Sequence, residues 1–187
     1  MDTVIPWVIL QTKSGRERQV EYLLAHKGYE CFLPTHQRKR QLSNRVVDVE
    51  LPLFPTYIFC RFSPSAIGKA VSTPGVTRIV KFGGLPAEVA AEEIKALQLL
   101  TRSRILCEPC AYTSNGALVQ VKTGPLAGAY GIYCQDEDRR RLVISVTLLQ
   151  QSVVVQLEEN AIVSPIERAN GDNSDLSAKL DLARLWR

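Results

Sequence analysis

The sequence predicts an α+β domain built on an antiparallel sheet flanked by helices, followed by a small all-β barrel. Three observations carry this. Short strand-like runs alternate with helical spacing up to about residue 101. Residues 102–115 lose all periodicity in a mix of Arg, Pro, Ser, Asn and Gly. Five short apolar runs then follow within about fifty residues, separated by turn clusters such as Gly124-Pro125 and Glu159-Asn160. The boundaries read as a domain over 1–101, a linker over 102–115, a barrel over 116–166 and a polar segment with a short amphipathic tail over 167–187.

Val4–Leu10, with Trp7, reads as a buried strand because its apolar run is nearly continuous. Ser14 and Glu17 stand in capping-box spacing ahead of Val20, Leu23 and Leu24, which predicts a helix ended by Gly28. Tyr29–Leu33 follows as a strand, and the basic stretch His36–Asn44 as a flexible hairpin tip. Val47, Val49, Leu51 and Leu53 alternate with Asp48 and Glu50, the pattern of a strand with one wet face. Tyr57–Phe62 is apolar on both sides: Tyr57 and Phe59 point one way, Ile58, Cys60 and Phe62 the other. One side belongs to the core, and the other needs a cover, either the protein's own helices or another molecule. A short helical stretch from Pro64 to Val71, a Pro74-Gly75 turn, a strand over Val76–Lys81 and a helix with Ala90, Ile94, Leu97 and Leu100 complete the first domain. In the tail, Leu176, Leu180 and Ala183 give a helix too short to hold itself in water.

Composition narrows the function. The 187 residues carry a net charge of +4. Residues 1–110 hold 15 Lys/Arg against 10 Asp/Glu, and the rest 8 against 9, so the positive surplus is N-terminal. Arg38, Lys39, Arg40 and Arg45 lie in a stretch without acids. Such a face suits a polyanion or an acidic partner, although solvation alone accounts for many basic stretches. No apolar run approaches the ~20 residues of a bilayer crossing. With no basic leader at the N-terminus and an odd number of cysteines, the expected location is the cytoplasm. Cys107-Glu-Pro-Cys110 is half of a zinc site at most, since no second close pair exists to complete four ligands. No metal, cofactor or nucleophile-base pair is assembled by local spacing, so the chain reads as a non-enzyme.

Trp7-Val8-Ile9-Leu10, Lys13-Ser14-Gly15, Leu53-Phe54-Pro55-Thr56-Tyr57-Ile58-Phe59, Thr73-Pro74-Gly75-Val76 and Lys81-Phe82-Gly83-Gly84 resemble the N-terminal domain of the NusG family. Val119–Gly131 resembles the KOW motif that opens that family's SH3-like barrel. Thr56 stands where the general factor has glycine. The resemblance implies a specialised, RfaH-like paralogue, a transcription elongation or antitermination factor that suppresses pausing or termination on selected operons, with RNA polymerase as partner. Its largest subunit's clamp helices would bind at Trp7, Phe54, Pro55, Tyr57 and Phe59. It further implies a nucleic-acid side at Lys13 and Arg16, joined by Arg38, Lys39, Arg40 and Arg45, facing upstream or non-template DNA. Lys69 would lie on the gate-loop side. Leu148 and Leu149 would form the barrel's surface for a second partner, for which a ribosomal small-subunit protein fits better than Rho, because the family's aromatic ring is missing there. Departures from RfaH, a specialised paralogue, include Pro74 at an arginine position and a shorter Gly68-Lys69-Ala70 segment without its His-Thr-Thr. The alternative of another class is a KOW-type RNA-binding or ribosome-associated module without polymerase contact.

Overall fold

The structure is a computed structural model and describes residues 5–42, 45–113, 116–136 and 139–166; the tail predicted over 176–186 lies outside them. Its first half is a five-stranded antiparallel sheet whose path runs β2 (Glu30–Phe32), β5 (Tyr57–Arg61), β1 (Trp7–Thr12), β6 (Val76–Ile79), with β9 (Glu88–Val89) also on β1. Register explains the sidedness. Ile9 pairs with Phe59, and Leu10 with Ile58. The two faces of the sheet therefore feed two cores, as strand alternation requires. Val8, Leu10, Ile58, Cys60 and Ile79 pack with Val20 and Leu24 of α1 (Glu17–His26) and Ala70 of α2 (Ile67–Val71). Trp7, Ile9, Phe54 and Phe59 belong to the other core.

That second core does not stop at the first domain. It continues through Ile94, Ala96, Leu97 and Leu100 of α3 (Ala91–Ser103) into Val119, Leu142, Ile144, Val153 and Val155 of the C-terminal strands. These strands form a six-stranded antiparallel sheet in the order β10 (Cys107–Ala111), β14 (Gln151–Gln156), β13 (Arg139–Val146), β12 (Tyr130–Asp136), β11 (Ala117–Val121), β15 (Val163–Pro165). The end strands β10 and β15 do not pair among the described residues, so the closure expected of a barrel is not seen. Gly131 shows why β12 admits no side chain at that point: an added Cβ would lie 2.7 Å from the Val143 carbonyl oxygen.

Three local expectations are corrected. The segment 102–115 is not simply a linker, because Cys107–Ala111 pairs along its length with β14 and forms an edge of the sheet, where Pro109 is tolerated. Glu17 does not cap its own helix. Its buried carboxylate accepts from the Thr56 backbone N–H at 2.8 Å, and Ser14 makes no cap bond to α1. The basic stretch is not a loose tip either: β3 (Thr35–Leu42) and β4 (Arg45–Pro52) form a regular two-stranded ribbon of eight residues each, paired from Thr35–Pro52 to Leu42–Arg45. Two short strands, β7 (Lys81–Phe82) and β8 (Leu85–Pro86), make a further hairpin before β9.

Candidate functional site: an aromatic face, a shared groove and a basic ribbon

Phe54 is brought beside Phe59 by the tight entry into β5, with ring centroids 6.1 Å apart in an edge-to-face arrangement. Phe32 on β2 reaches both Phe59, at 6.2 Å, and Trp7, at 6.5 Å. The Arg61 guanidinium stacks over the Trp7 ring at 4.8 Å. Such pairs prefer offset and edge contacts and hold the rings in fixed orientation. The face is not open in this structure. Trp7, Phe54 and Phe59 are 5%, 1% and 0% exposed, sealed in the core that α3 and the six-stranded sheet complete. Of the residues expected at a polymerase contact, Pro55 is exposed and Tyr57 half-buried.

The seal has a polar tie. Glu93 on α3 accepts from the Thr147 backbone N–H at 3.2 Å and from its hydroxyl at 2.7 Å. Thr147 opens the one-turn 3₁₀ helix Thr147–Leu149 that follows β13. Burial raises the Glu93 carboxyl pKa above the usual range, with the two Thr147 bonds pulling against that shift. The same turn carries Leu148 and Leu149 to the first domain. A groove of about 700 Å³ is lined by Tyr57, Ile67, Val71, Val80, Leu148 and Leu149. A neighbouring one of about 580 Å³ holds Leu148 beside Val8, Phe62, Phe82 and Leu85. Tyr57 and the two leucines, assigned by resemblance to two different partners, thus meet in one groove. Lys69 lies next to its Gly68 wall on α2 and is exposed.

The ribbon of β3 and β4 sorts its charges by face. Cross-strand partners share a face, and the ladder alternates. His36 with Leu51, Arg38 with Val49 and Arg40 with Val47 lie on one side, with Arg45, and no carboxylate stands among them. Gln37 with Glu50 and Lys39 with Asp48 lie on the other. Arg38, Arg40 and Arg45 are exposed, while Val47 and Val49 between them are half-buried, as arginine stems laid along aliphatic neighbours would leave them. The acidic side is the anchored one. Glu50 takes an ion pair from Arg18 of α1 and a hydrogen bond from the Thr35 hydroxyl, and these two bonds, Thr35's foremost, hold its carboxyl below the usual pKa. Lys13 and Arg16 are exposed at the β1–α1 turn, where the Lys13 N–H donates to the Gly75 carbonyl at 2.8 Å. Gly75 must be glycine there: its φ is +97° and a Cβ would lie 2.8 Å from a Val20 methyl.

The sheet, the aromatic entry into β5 and the Pro74-Gly75 turn all fall within residues 6–98, which match the family model described as "Transcription termination factor nusG". The chain contains a NusG family domain. Among solved structures, the chain is similar to one described as "Domain interaction in Thermotoga maritima NusG", at 24% identity over 87% of this chain and 97% of that one, with a TM-score of 0.49. It is also similar to two conformations of the MjSpt4:Spt5 complex, each at 16% identity and a TM-score of 0.30, covering 86% and 87% of this chain and 99% of the other. The matched residues include the aromatic face, the ribbon and Lys13, Arg16 and Lys69. Leu148 and Leu149 lie beyond the matched residues. Among the described residues, no cluster of three or more His, Cys, Asp or Glu is placed to hold a metal, and no helix is long and apolar enough to cross a membrane.

Sequence reading missed Glu93, whose partner lies 54 residues away, and Glu17, whose partner lies 39 away. The only signal for either was an acid on an otherwise apolar-patterned helix start.

Proposed function

We propose that this protein is a transcription elongation factor of the antitermination kind, binding RNA polymerase through its NusG domain. The aromatic face of that domain carries the reading. Trp7, Phe54, Pro55, Tyr57 and Phe59 form a dense apolar patch of the kind that docks a helical partner such as the clamp helices of the largest subunit. Because three of the five are buried in the core that α3 and the C-terminal sheet complete, docking requires that core to open, freeing Leu148 and Leu149 for a second partner in the same step. A KOW-type role for the six-stranded sheet, with a ribosomal small-subunit protein as that partner, follows from the Val119–Gly131 segment. Lys13, Arg16 and the free side of the ribbon, Arg38, Arg40 and Arg45, would face upstream or non-template DNA, where phosphate contacts position without reading sequence. Lys39 belongs to the other side of the ribbon and contributes less; Lys69 would sit toward the gate loop.

In vitro transcription with and without the protein tests this. Shorter pauses and unchanged or reduced Rho-dependent termination are expected; increased termination overturns the antitermination reading. Tyr57→Ala is expected to weaken polymerase binding about tenfold, the loss of roughly 1.4 kcal/mol at a docking hot spot. Binding to ribosomal particles with none to polymerase would favour an RNA- or ribosome-binding module instead.

A further inference from the structure

Two thiols of the first sheet lie in register on the side of the core that packs against α1 and α2. Cys31 on β2 stands directly opposite Cys60 on β5 in the antiparallel ladder, with the two sulfurs 3.5 Å apart. Directly opposed residues in such a ladder have Cα atoms about 4.5–5.5 Å apart, inside the ~4.4–6.8 Å span that a disulfide bridges. A bond of about 2.05 Å needs the sulfurs to close by roughly 1.5 Å, a distance that side-chain rotation covers without moving either strand. Cys107 and Cys110 share one strand three residues apart, about 10 Å at ~3.3 Å per residue, beyond bridging distance.

We propose that Cys31 and Cys60 are a reversible dithiol–disulfide site, oxidised by peroxide or by exchange with a small disulfide. Access sets the order of events. Cys60 is fully buried and donates its S–H toward Cys31, and that bond together with burial keeps its thiol protonated. Cys31, on the edge strand, is half-buried and meets the oxidant first. Its thiolate attacks a peroxide oxygen, and water leaves once the departing hydroxide is protonated, giving a sulfenic acid. The Cys60 sulfur, on losing its proton, attacks the Cys31 sulfur and expels the second water. Two thiols lose two protons and two electrons, and the peroxide is reduced to two waters. With glutathione disulfide, Cys31 forms the mixed disulfide and releases one glutathione, and Cys60 then displaces the second.

The bridge would close a loop that contains the entire basic ribbon, residues 35–52. It would also fix β2, whose sole sheet neighbour among the described residues is β5, and with it Phe32 on the aromatic face. This inference does not depend on the polymerase reading.

The test uses the full chain, reduced and then treated with hydrogen peroxide or glutathione disulfide. Maleimide labelling after denaturation should find accessible thiols falling from five to three, and a non-reduced digest should join the Cys31 peptide to the Cys60 peptide. Dithiothreitol should restore five. In Cys60→Ser the link should vanish while Cys31 still takes up glutathione; wild-type peptide mapping stands alone if that variant does not fold. Five thiols persisting under conditions that oxidise a free small thiol overturn the proposal. So does glutathione left on Cys31 without a bridge, or a bridge through Cys107, Cys110, Cys134 or a second chain.

Discussion

Thr56 occupies a conformation that threonine avoids. Its φ of 69° is left-handed, where a β-branched side chain costs about 1–2 kcal/mol. Two backbone bonds hold it there: its N–H donates to the Glu17 carboxylate, and its carbonyl accepts from the Thr12 N–H at 2.8 Å. Thr56→Gly is therefore expected to raise the unfolding free energy by up to about 1 kcal/mol, the relief of strain being offset in part by the greater freedom of unfolded glycine. Glu17→Ala should lower it by about 1–3 kcal/mol, since it leaves the Thr56 N–H without its partner. Urea denaturation of the two variants checks both. Glu93 gives a pH dependence. Its carboxyl is raised by burial, so the folded state holds the proton more tightly than the unfolded state. Its contribution is therefore most favourable below the ordinary glutamate range and declines as pH rises through the raised value. Urea midpoints are expected to decline as pH rises above the ordinary glutamate range, and Glu93→Gln, which still accepts from Thr147, should flatten that decline.

At the scale of elements, the ribbon of β3 and β4 makes the most separable claim. If Arg38, Arg40 and Arg45 meet phosphates, each replacement by alanine should reduce the slope of log affinity against log salt by about 0.9 on duplex DNA, while Lys39→Ala should change it little. Fluorescence anisotropy at several salt concentrations distinguishes the two faces. Much of this element was legible beforehand. Val47, Val49 and Leu51 alternate with Asp48 and Glu50, and alternation with a period of two survives any tertiary context. What the pattern could not reveal was the register, which alone puts Lys39 across from Asp48 and the arginines together. Strand β10 was hidden for a different reason. Cys-Glu-Pro-Cys has no alternation and carries a proline, and only its edge position beside β14 makes it a strand. The capping box around Glu17 failed because a contact 39 residues away won over a local one. The doubly apolar β5 was legible; whether protein or partner covered its aromatic side was not, since that depends on how α3 and the second sheet pack.

At the scale of the molecule, one core joins the NusG domain to the C-terminal sheet. A ligand for the aromatic face must therefore offset the loss of that packing, and its apparent affinity is reduced by the fraction of open molecules. Weakening the closed arrangement should then strengthen polymerase binding. Leu148→Asp combined with Leu149→Asp, which puts two charges into the shared groove, is expected to raise it about tenfold, for an opening cost lowered by roughly 1.4 kcal/mol. The same variant should lose binding to any partner that uses the two leucines. Co-purification with polymerase, compared with wild type and with Tyr57→Ala, measures both effects.

The order of strands in the second sheet has a consequence for synthesis on the ribosome. Strand β10 follows α3 directly, yet its sheet neighbour among the described residues is β14, complete at Gln156. Domains fold in the order they emerge. The NusG domain and α3 are thus finished more than fifty residues before the six-stranded sheet is complete, with the core around Trp7, Phe54 and Phe59 only half covered in the interval. A nascent chain halted in that window presents the aromatic patch that the finished protein conceals, and is at once its most adhesive and its most receptive form.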